Sequence, residues 1–213
     1  VVARSLSLLS LKVRSVAHLT LLLAAMLMVG YPTPSHADDE QAAAFSVSIG
    51  NEVLGILSTD TLSDAEKQDK IREMFLRVVD TDWIGRFVLG ATWRKLDEAA
   101  QQDYLETYRK FLVKHYTQNF ADYKKGTTFK VARVRKIGAD GKQYLVSMLI
   151  LRKGQQPINL DYRVRQENAE SFRAIDILVE GVSLLATQRS EFASVIQREG
   201  VERLISLLKK KAA

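Results

Sequence analysis

Two hydrophobic periods divide this chain. Up to about residue 124 apolar side chains recur every three or four positions, and from Phe129 to about residue 180 they recur every second position. In the first part, residues 40–57 carry Phe45, Ile49, Val53, Ile56 and Leu57 on one predicted helical stripe. Ser63-Asp64-Ala65-Glu66 then has the form of a capping box, in which hydroxyl and carboxylate serve each other's backbone N–H groups. It opens a helix expected to bury Ile71, Phe75, Val78 and Val79 and to end near Asp80. A short helix is expected over Trp83–Val88, stopping near Gly90. A longer one follows from about Glu98 to Tyr123, with a stripe of Tyr104, Leu105, Tyr108, Phe111, Leu112, Tyr116, Phe120 and Tyr123. Lys124, Lys125 and Gly126 end it.

The clearest period-two stretch is Ile158, Leu160, Tyr162 and Val164 alternating with Asn159, Asp161, Arg163 and Arg165, a strand with one dry and one wet face. Tyr144, Val146, Met148 and Ile150 predict its partner, joined through Lys153-Gly154-Gln155-Gln156-Pro157. Phe172–Glu180 adds a strand on which Ile175, Ile177 and Val179 share a face, and Phe129–Ile137 is the first of the four. Helices resume over Ser190–Arg198 and Val201–Lys211, separated by Gly200. The expectation is an α+β fold, a curved four-stranded antiparallel sheet covered on one face by several helices. Periodicity is the same for a filled and a hollow interior.

The N-terminal stretch does not fit that pattern. Arg4, Lys12 and Arg14 precede the apolar run Leu19–Val29, and Ser35-His36-Ala37 places small residues two apart, the layout of a secretory signal peptide cut after Ala37. An 11-residue run is too short to span about 30 Å of hydrocarbon at about 1.5 Å per residue. Residues 1–37 are therefore expected to be removed, leaving 38–213 as a single domain. The whole chain carries +6, but three of the basic groups and no acidic one lie in the leader, so the remainder is only weakly basic. This argues against a nucleic-acid partner, which calls for a concentrated basic face. The sequence has no cysteine, which excludes disulfides, thiol chemistry and a lipid-anchoring cysteine. No internal repeat or low-complexity stretch follows Ala37.

Candidate chemistry is sparse. Of the three histidines, His18 and His36 lie in the leader, and His115 alone makes no metal site and reads as a packed or surface residue of the long helix. There is no nucleophile elbow and no phosphate-binding glycine loop. Asp161 alternates with dry-face residues and should point outward. Asp176 and Glu180 are the candidates for a carboxylate whose pKa an apolar interior would raise, as in an enzyme acting on a hydrophobic small molecule. The plainer expectation pairs Asp176 with a nearby arginine such as Arg173 and has Glu180 anchor the turn at Gly181. Basic groups at Lys124-Lys125, Arg133-Arg135-Lys136 and Lys209–Lys211 read as solvated faces; used functionally, they would attract anionic head groups or an acidic partner.

Two segments carry a likeness: Val79-Asp80-Thr81-Asp82-Trp83-Ile84-Gly85-Arg86-Phe87-Val88-Leu89-Gly90 with Trp93-Arg94, and Val179-Glu180-Gly181-Val182-Ser183-Leu184 continuing through Thr187-Gln188-Arg189-Ser190-Glu191-Phe192. In order and spacing, and over nearly all of the chain after Ala37, they resemble the MlaC family, also known as the toluene-tolerance or organic-solvent-resistance auxiliary family. The resemblance implies a fold like that of nuclear transport factor two, a cone with an apolar cavity. It also implies a monomeric shuttle in the periplasm of a Gram-negative bacterium, without enzyme activity or cofactor, carrying phospholipid as cargo. The implied partners are an inner-membrane ABC transporter complex with MCE-type subunits and an outer-membrane lipoprotein–porin complex, and the implied role is maintenance of outer-membrane lipid asymmetry. Mapped to dry-face positions, the acyl-chain pocket is expected at Ile84, Phe87, Val88, Phe111, Tyr116, Val146, Met148, Ile150, Leu160, Tyr162, Ile175, Ile177, Val179 and Val182. Two other readings stand beside the carrier: a cone-shaped enzyme with a buried carboxylate, and a solid adaptor that binds no lipid.

Overall fold

The structure, a computed structural model, describes residues 36–117, 125–168 and 170–213. Helix α1 (His36–Ser58) buries Ala42, Ser46 and Ile49 along one face. The hydroxyl of Ser46, fully enclosed, donates to the Ala42 carbonyl one turn back at 2.9 Å, so this polar group costs little in the interior. Gly50 lets the helix lie against β1: a Cβ there would stand 2.6 Å from the Phe129 ring. Helix α2 (Asp64–Val78) opens on the expected capping box, with the Ser63 N–H donating to Glu66 Oε2 at 2.8 Å and the Glu66 N–H donating back to Ser63 Oγ at 3.3 Å.

Helix α3 (Thr81–Leu89) begins two residues before the sequence pattern predicts, because Asp80 caps it: Asp80 Oδ1 accepts from the Trp83 N–H at 3.0 Å. A 3-10 turn over Gly90–Lys95 leads to α4 (Glu98–Thr117). The expected continuation of α4 to Tyr123, with Phe120 and Tyr123 of the aromatic stripe, lies outside the described residues. So does the expected leader, apart from His36 and Ala37, which open α1.

Five strands follow rather than four. They are β1 (Thr128–Ile137), β2 (Gln143–Leu151), β3 (Ile158–Gln166), β4 (Phe172–Val179) and the two-residue β5 (Val182–Ser183), joined in simple antiparallel sequence order. A bulge between Val131 and Arg133, and another where β4 inserts Ile175 opposite the Arg163–Val164 step, break the register and bend the sheet. Helix α5 (Leu184–Glu199) starts six residues before the expected Ser190. Ser183 caps it through the Ala186 N–H, 2.9 Å, while Asp176 Oδ1 accepts from the Leu185 N–H at 2.9 Å. Helix α6 (Val201–Ala212) closes the chain.

Three clusters form the interior. The largest joins α3, α4, α5 and α6 around Tyr104, Tyr108, Phe111, Leu112, Phe192, Leu204 and Leu208, with Ile175 of β4. In the second, Ala42 and Phe45 of α1 lie on Tyr144, Val146, Met148, Val164 and Phe172 of the sheet. The third packs Ile49 of α1 on Ile71, Met74 and Val78 of α2, with Tyr162 beside them. Helices and sheet are tied by Asp80, whose Oδ2 accepts from Arg165 of β3 at 2.5 Å, and by the Asp80 N–H, which donates to the Ala174 carbonyl of β4 at 3.0 Å.

Candidate functional site

Where these clusters meet, the interior is not filled. A cavity of about 250 Å³ lies between the second half of α1, α2, the helical bundle and the β3–β4 part of the sheet. Its walls are Ile49 and Val53 of α1, Ile71, Met74, Phe75 and Val78 of α2, then Val79, Ile84, Leu112 and Tyr116. Tyr162, Ala174 to Ile177, and Leu184, Leu185 and Gln188 complete it. Only Tyr116, Tyr162, Asp176 and Gln188 bring polar atoms to this lining; the rest are hydrocarbon or thioether, the make-up of a site for an apolar ligand.

The cavity exists because α1 divides its contacts. Its first half covers β2, and its second half passes Phe129 of β1 at Gly50 and then leans on α2. One cross-strand row shows the change, since Val146, Tyr162 and Ile177 pair in register across β2, β3 and β4. Val146 is sealed under α1, whereas Tyr162 and Ile177 line the cavity.

Five of the fourteen positions expected from the sequence stand on the cavity wall: Ile84, Tyr116, Tyr162, Ile175 and Ile177. The other nine are placed elsewhere. Val88 and Phe111 are packed inside the helical core, and Val146 and Met148 inside the α1–sheet cluster, because helices already cover them. Phe87 is half-buried at the bundle surface, its ring stacked on Trp83 at 5.1 Å with the Arg189 guanidinium 4.6 Å from the ring centroid. Ile150 and Leu160 are half-buried towards the strand ends. Val179 and Val182 pair across the β4–β5 turn beyond any covering element and are 39% and 59% exposed, so the expectation that they are dry is corrected.

The walls that the sequence reading did not assign are chiefly those of α1 and α2, although their apolar stripes were visible. The bulge in β4 accounts for Asp176. Strict alternation would turn it outward from Ile175, but both are buried. Its carboxylate does not meet Arg173; Oδ2 accepts from Ser183 Oγ at 2.6 Å and Oδ1 from the Leu185 N–H, so it holds the start of α5. Arg173 instead donates to the Arg77 carbonyl. Glu180 is exposed, and hydrogen bonds from the Asn159 side chain and backbone hold its carboxyl below the usual range, the reverse of what a base in an apolar pocket needs.

Residues 48–210 match the MlaC protein family, a span that includes every residue lining the cavity. The chain belongs to the MlaC family. A curated relative, the intermembrane phospholipid transport system binding protein MlaC of Haemophilus influenzae, is 19% identical over 144 residues, 67% of each chain. Among solved structures, the phospholipid-binding protein from Ralstonia solanacearum, determined in complex with a phospholipid, is similar with a TM-score of 0.67. It is 23% identical, covering 80% of this chain and 96% of its own, a likeness of fold.

In this MlaC-family fold the two segments that carry the sequence likeness sit side by side at the cavity. Val79–Gly90 supplies the Asp80 cap, α3 and the wall residues Val79 and Ile84. Val179–Phe192 supplies the β4–β5 turn, the start of α5 and the wall residues Leu184, Leu185 and Gln188. Among the described residues no group of three or more histidine, cysteine or acidic side chains could hold a metal ion, and no helix is long and apolar enough to cross a membrane.

Proposed function

We propose that this chain is an exported periplasmic carrier of phospholipid, released from its leader after Ala37, that shelters acyl tails in the cavity and performs no reaction on them. The observation that carries this reading is an apolar cavity lined by residues that all fall within the span matching the family. The named relatives, a phospholipid transport binding protein and a phospholipid-binding protein, point the same way.

The physical need is large. Two acyl chains hold on the order of 30 methylenes, and exposing them to water at about 0.8 kcal/mol each costs roughly 20–25 kcal/mol. A carrier removes that barrier if its lining resembles hydrocarbon closely enough for tails to enter and leave. The cavity of about 250 Å³ falls just under the roughly 300–1,000 Å³ usual for small-molecule sites, so two full tails require the walls to part. Met74 and the branched side chains of α1 and α2, which pack chiefly against each other, are the walls able to do so. Delivery would run between an inner-membrane MCE-type ABC transporter and an outer-membrane lipoprotein–porin complex, preserving outer-membrane lipid asymmetry.

Organic extraction of the protein purified from a periplasmic fraction tests the reading. Diacyl phospholipid in about stoichiometric amount is expected. A lipid-free extract from protein that also takes up no lipid from vesicles would favour the adaptor and sink the carrier.

A further inference from the structure

Most of the polar side chains on the cavity wall keep a proton without a partner among the described residues. In the solid helical core, the Tyr104 hydroxyl donates to the Gly85 carbonyl at 3.0 Å and the Tyr108 hydroxyl donates to Gln188 Oε1. Tyr116 and Tyr162, on the cavity wall, are different: among the described residues neither hydroxyl has a hydrogen-bond partner, and neither is sealed away from accessible space. Both residues line the cavity. Gln188 has its carbonyl oxygen engaged by Tyr108, which leaves its amide NH₂ as the end without a partner among the described residues. Asp176, the remaining polar wall residue, has both oxygens taken by Ser183 and Leu185.

What the cavity offers is therefore three groups with protons free to donate, two phenols and one carboxamide. Burial pushes the Tyr162 phenol up to about 12, and burial followed by the charges of Glu191 and Asp176 raises Tyr116, so both keep their protons at neutral pH.

We propose that Tyr116, Tyr162 and Gln188 recognise the ester carbonyl oxygens that join acyl chains to a lipid backbone, and so fix how deeply the cargo sits. This rests on the carrier reading above. In the empty protein water can satisfy these donors. A plain hydrocarbon filling the cavity would displace that water and leave each donor unpaired, at a cost that outweighs the loss of an ordinary hydrogen bond. An ester carbonyl accepts without donating, so it can take up the free phenol and amide protons that this wall presents. Tyr116 on α4 and Gln188 on α5 face the ligand from the bundle and Tyr162 faces it from the sheet, so the ester region is held from two sides. The tails then lie along Ile49, Val53, Ile71 and Met74. An ether-linked lipid of the same head group and chain length lacks the carbonyls and is the analogue such a site discriminates against.

The test uses the full domain stripped of lipid and incubated with vesicles containing equal amounts of dipalmitoyl phosphatidylethanolamine and its dihexadecyl diether analogue. The protein is re-isolated and its bound lipid extracted and counted. The ester lipid is expected in about tenfold excess. Tyr162→Phe, which removes one oxygen and keeps the ring, should cut that ratio several-fold, as should Tyr116→Phe, and the double variant should leave only the small preference that Gln188 supplies. Equal uptake of both lipids by the wild type, or a ratio that neither Tyr→Phe change moves, overturns the donor role while leaving the carrier intact. Uptake of neither lipid overturns the carrier and this proposal together.

Discussion

The helical core and the cavity wall are built from the same kinds of side chain and behave differently. In the core, rings of Tyr104, Tyr108, Phe111 and Phe192 succeed one another at 5.5–6.2 Å, and both tyrosine hydroxyls are satisfied. Gly85 marks how close the packing is, since a Cβ there would meet Leu105 Cδ2 at 2.9 Å and Tyr108 Cδ1 at 3.0 Å. On the cavity side, Phe75 and Tyr116 stack more loosely, at 6.5 Å, and Phe75 and Val53 remain half-buried. Composition does not separate the regions; the number of elements converging on each does. Four helices and β4 close the core, whereas over β3 and β4 the second half of α1 rests on α2 and leaves the sheet uncovered.

Two phenylalanines test this difference most strongly. Phe111→Ala opens a void in the filled core and is expected to cost about 3–5 kcal/mol, while Phe75→Ala, already facing space, should cost about 1–2 kcal/mol. Urea unfolding at constant m-value measures both, and equal losses would erase the distinction. Next in size is the tie between the regions. Asp80 caps α3 and meets Arg165 with side chains only 13% and 24% exposed, so Asp80→Ala loses a cap and leaves a shielded guanidinium with only the weaker Glu167 contact at 3.5 Å, about 2–3 kcal/mol together. Asn at the same position keeps the cap, and a loss of about 1 kcal/mol is expected. If Asn and Ala destabilise alike, the cap contributes nothing and the whole loss is that of the ion pair.

Adding atoms should discriminate in the opposite sense. Gly85→Ala forces a methyl into occupied space and should cost about 1–3 kcal/mol. Val53→Phe grows into the cavity and should change stability by less than about 1 kcal/mol while lowering the lipid carried per protein several-fold. A Val53→Phe protein that keeps its full lipid load would place the cargo elsewhere.

The same contrast explains what could be read from the sequence. The α+β class, the capping box at Ser63, the hairpin of β2 and β3 and the dry face of the sheet all follow from local periodicity, which local chemistry enforces. The two-residue β5 is too short to show a period, and the true start of α5 is hidden because Ser183 caps it without the acidic residue that completes a capping box. Dry-face parity found the correct face of the sheet, yet it could not say which stretch of that face lies under a helix and which under a void. The row Met148, Leu160 and Val179 shows why. Its members pair in register, and exposure rises from 2% at Met148 through a half-buried Leu160 to 39% at Val179. Where α1 parts from the sheet is a property of its packing on α2, set by residues about a hundred positions away in the chain.

The smallest effect is expected at the rim, where the β4–β5 turn stands clear of both regions. Glu180 adopts a left-handed backbone, φ 48°, that side chains rarely tolerate, and its carboxylate compensates by accepting from the Asn159 N–H at 2.7 Å and from Asn159 Nδ2 at 2.9 Å. Glu180→Gly relieves the backbone and removes those bonds, so global stability should move no more than for ordinary surface changes. The local consequence is separable by pH. The hydrogen bonds hold the carboxyl below its ordinary value of 4.5, so the contact is fully present above that value and is lost as pH falls through the depressed one. Exchange of the Asn159 amide hydrogen, corrected for its intrinsic pH dependence, should therefore lose protection on acidification in the wild type. In Glu180→Gly it should be unprotected throughout. Protection that survives in the variant would mean that strand pairing, and not the carboxylate, shapes this corner of the sheet.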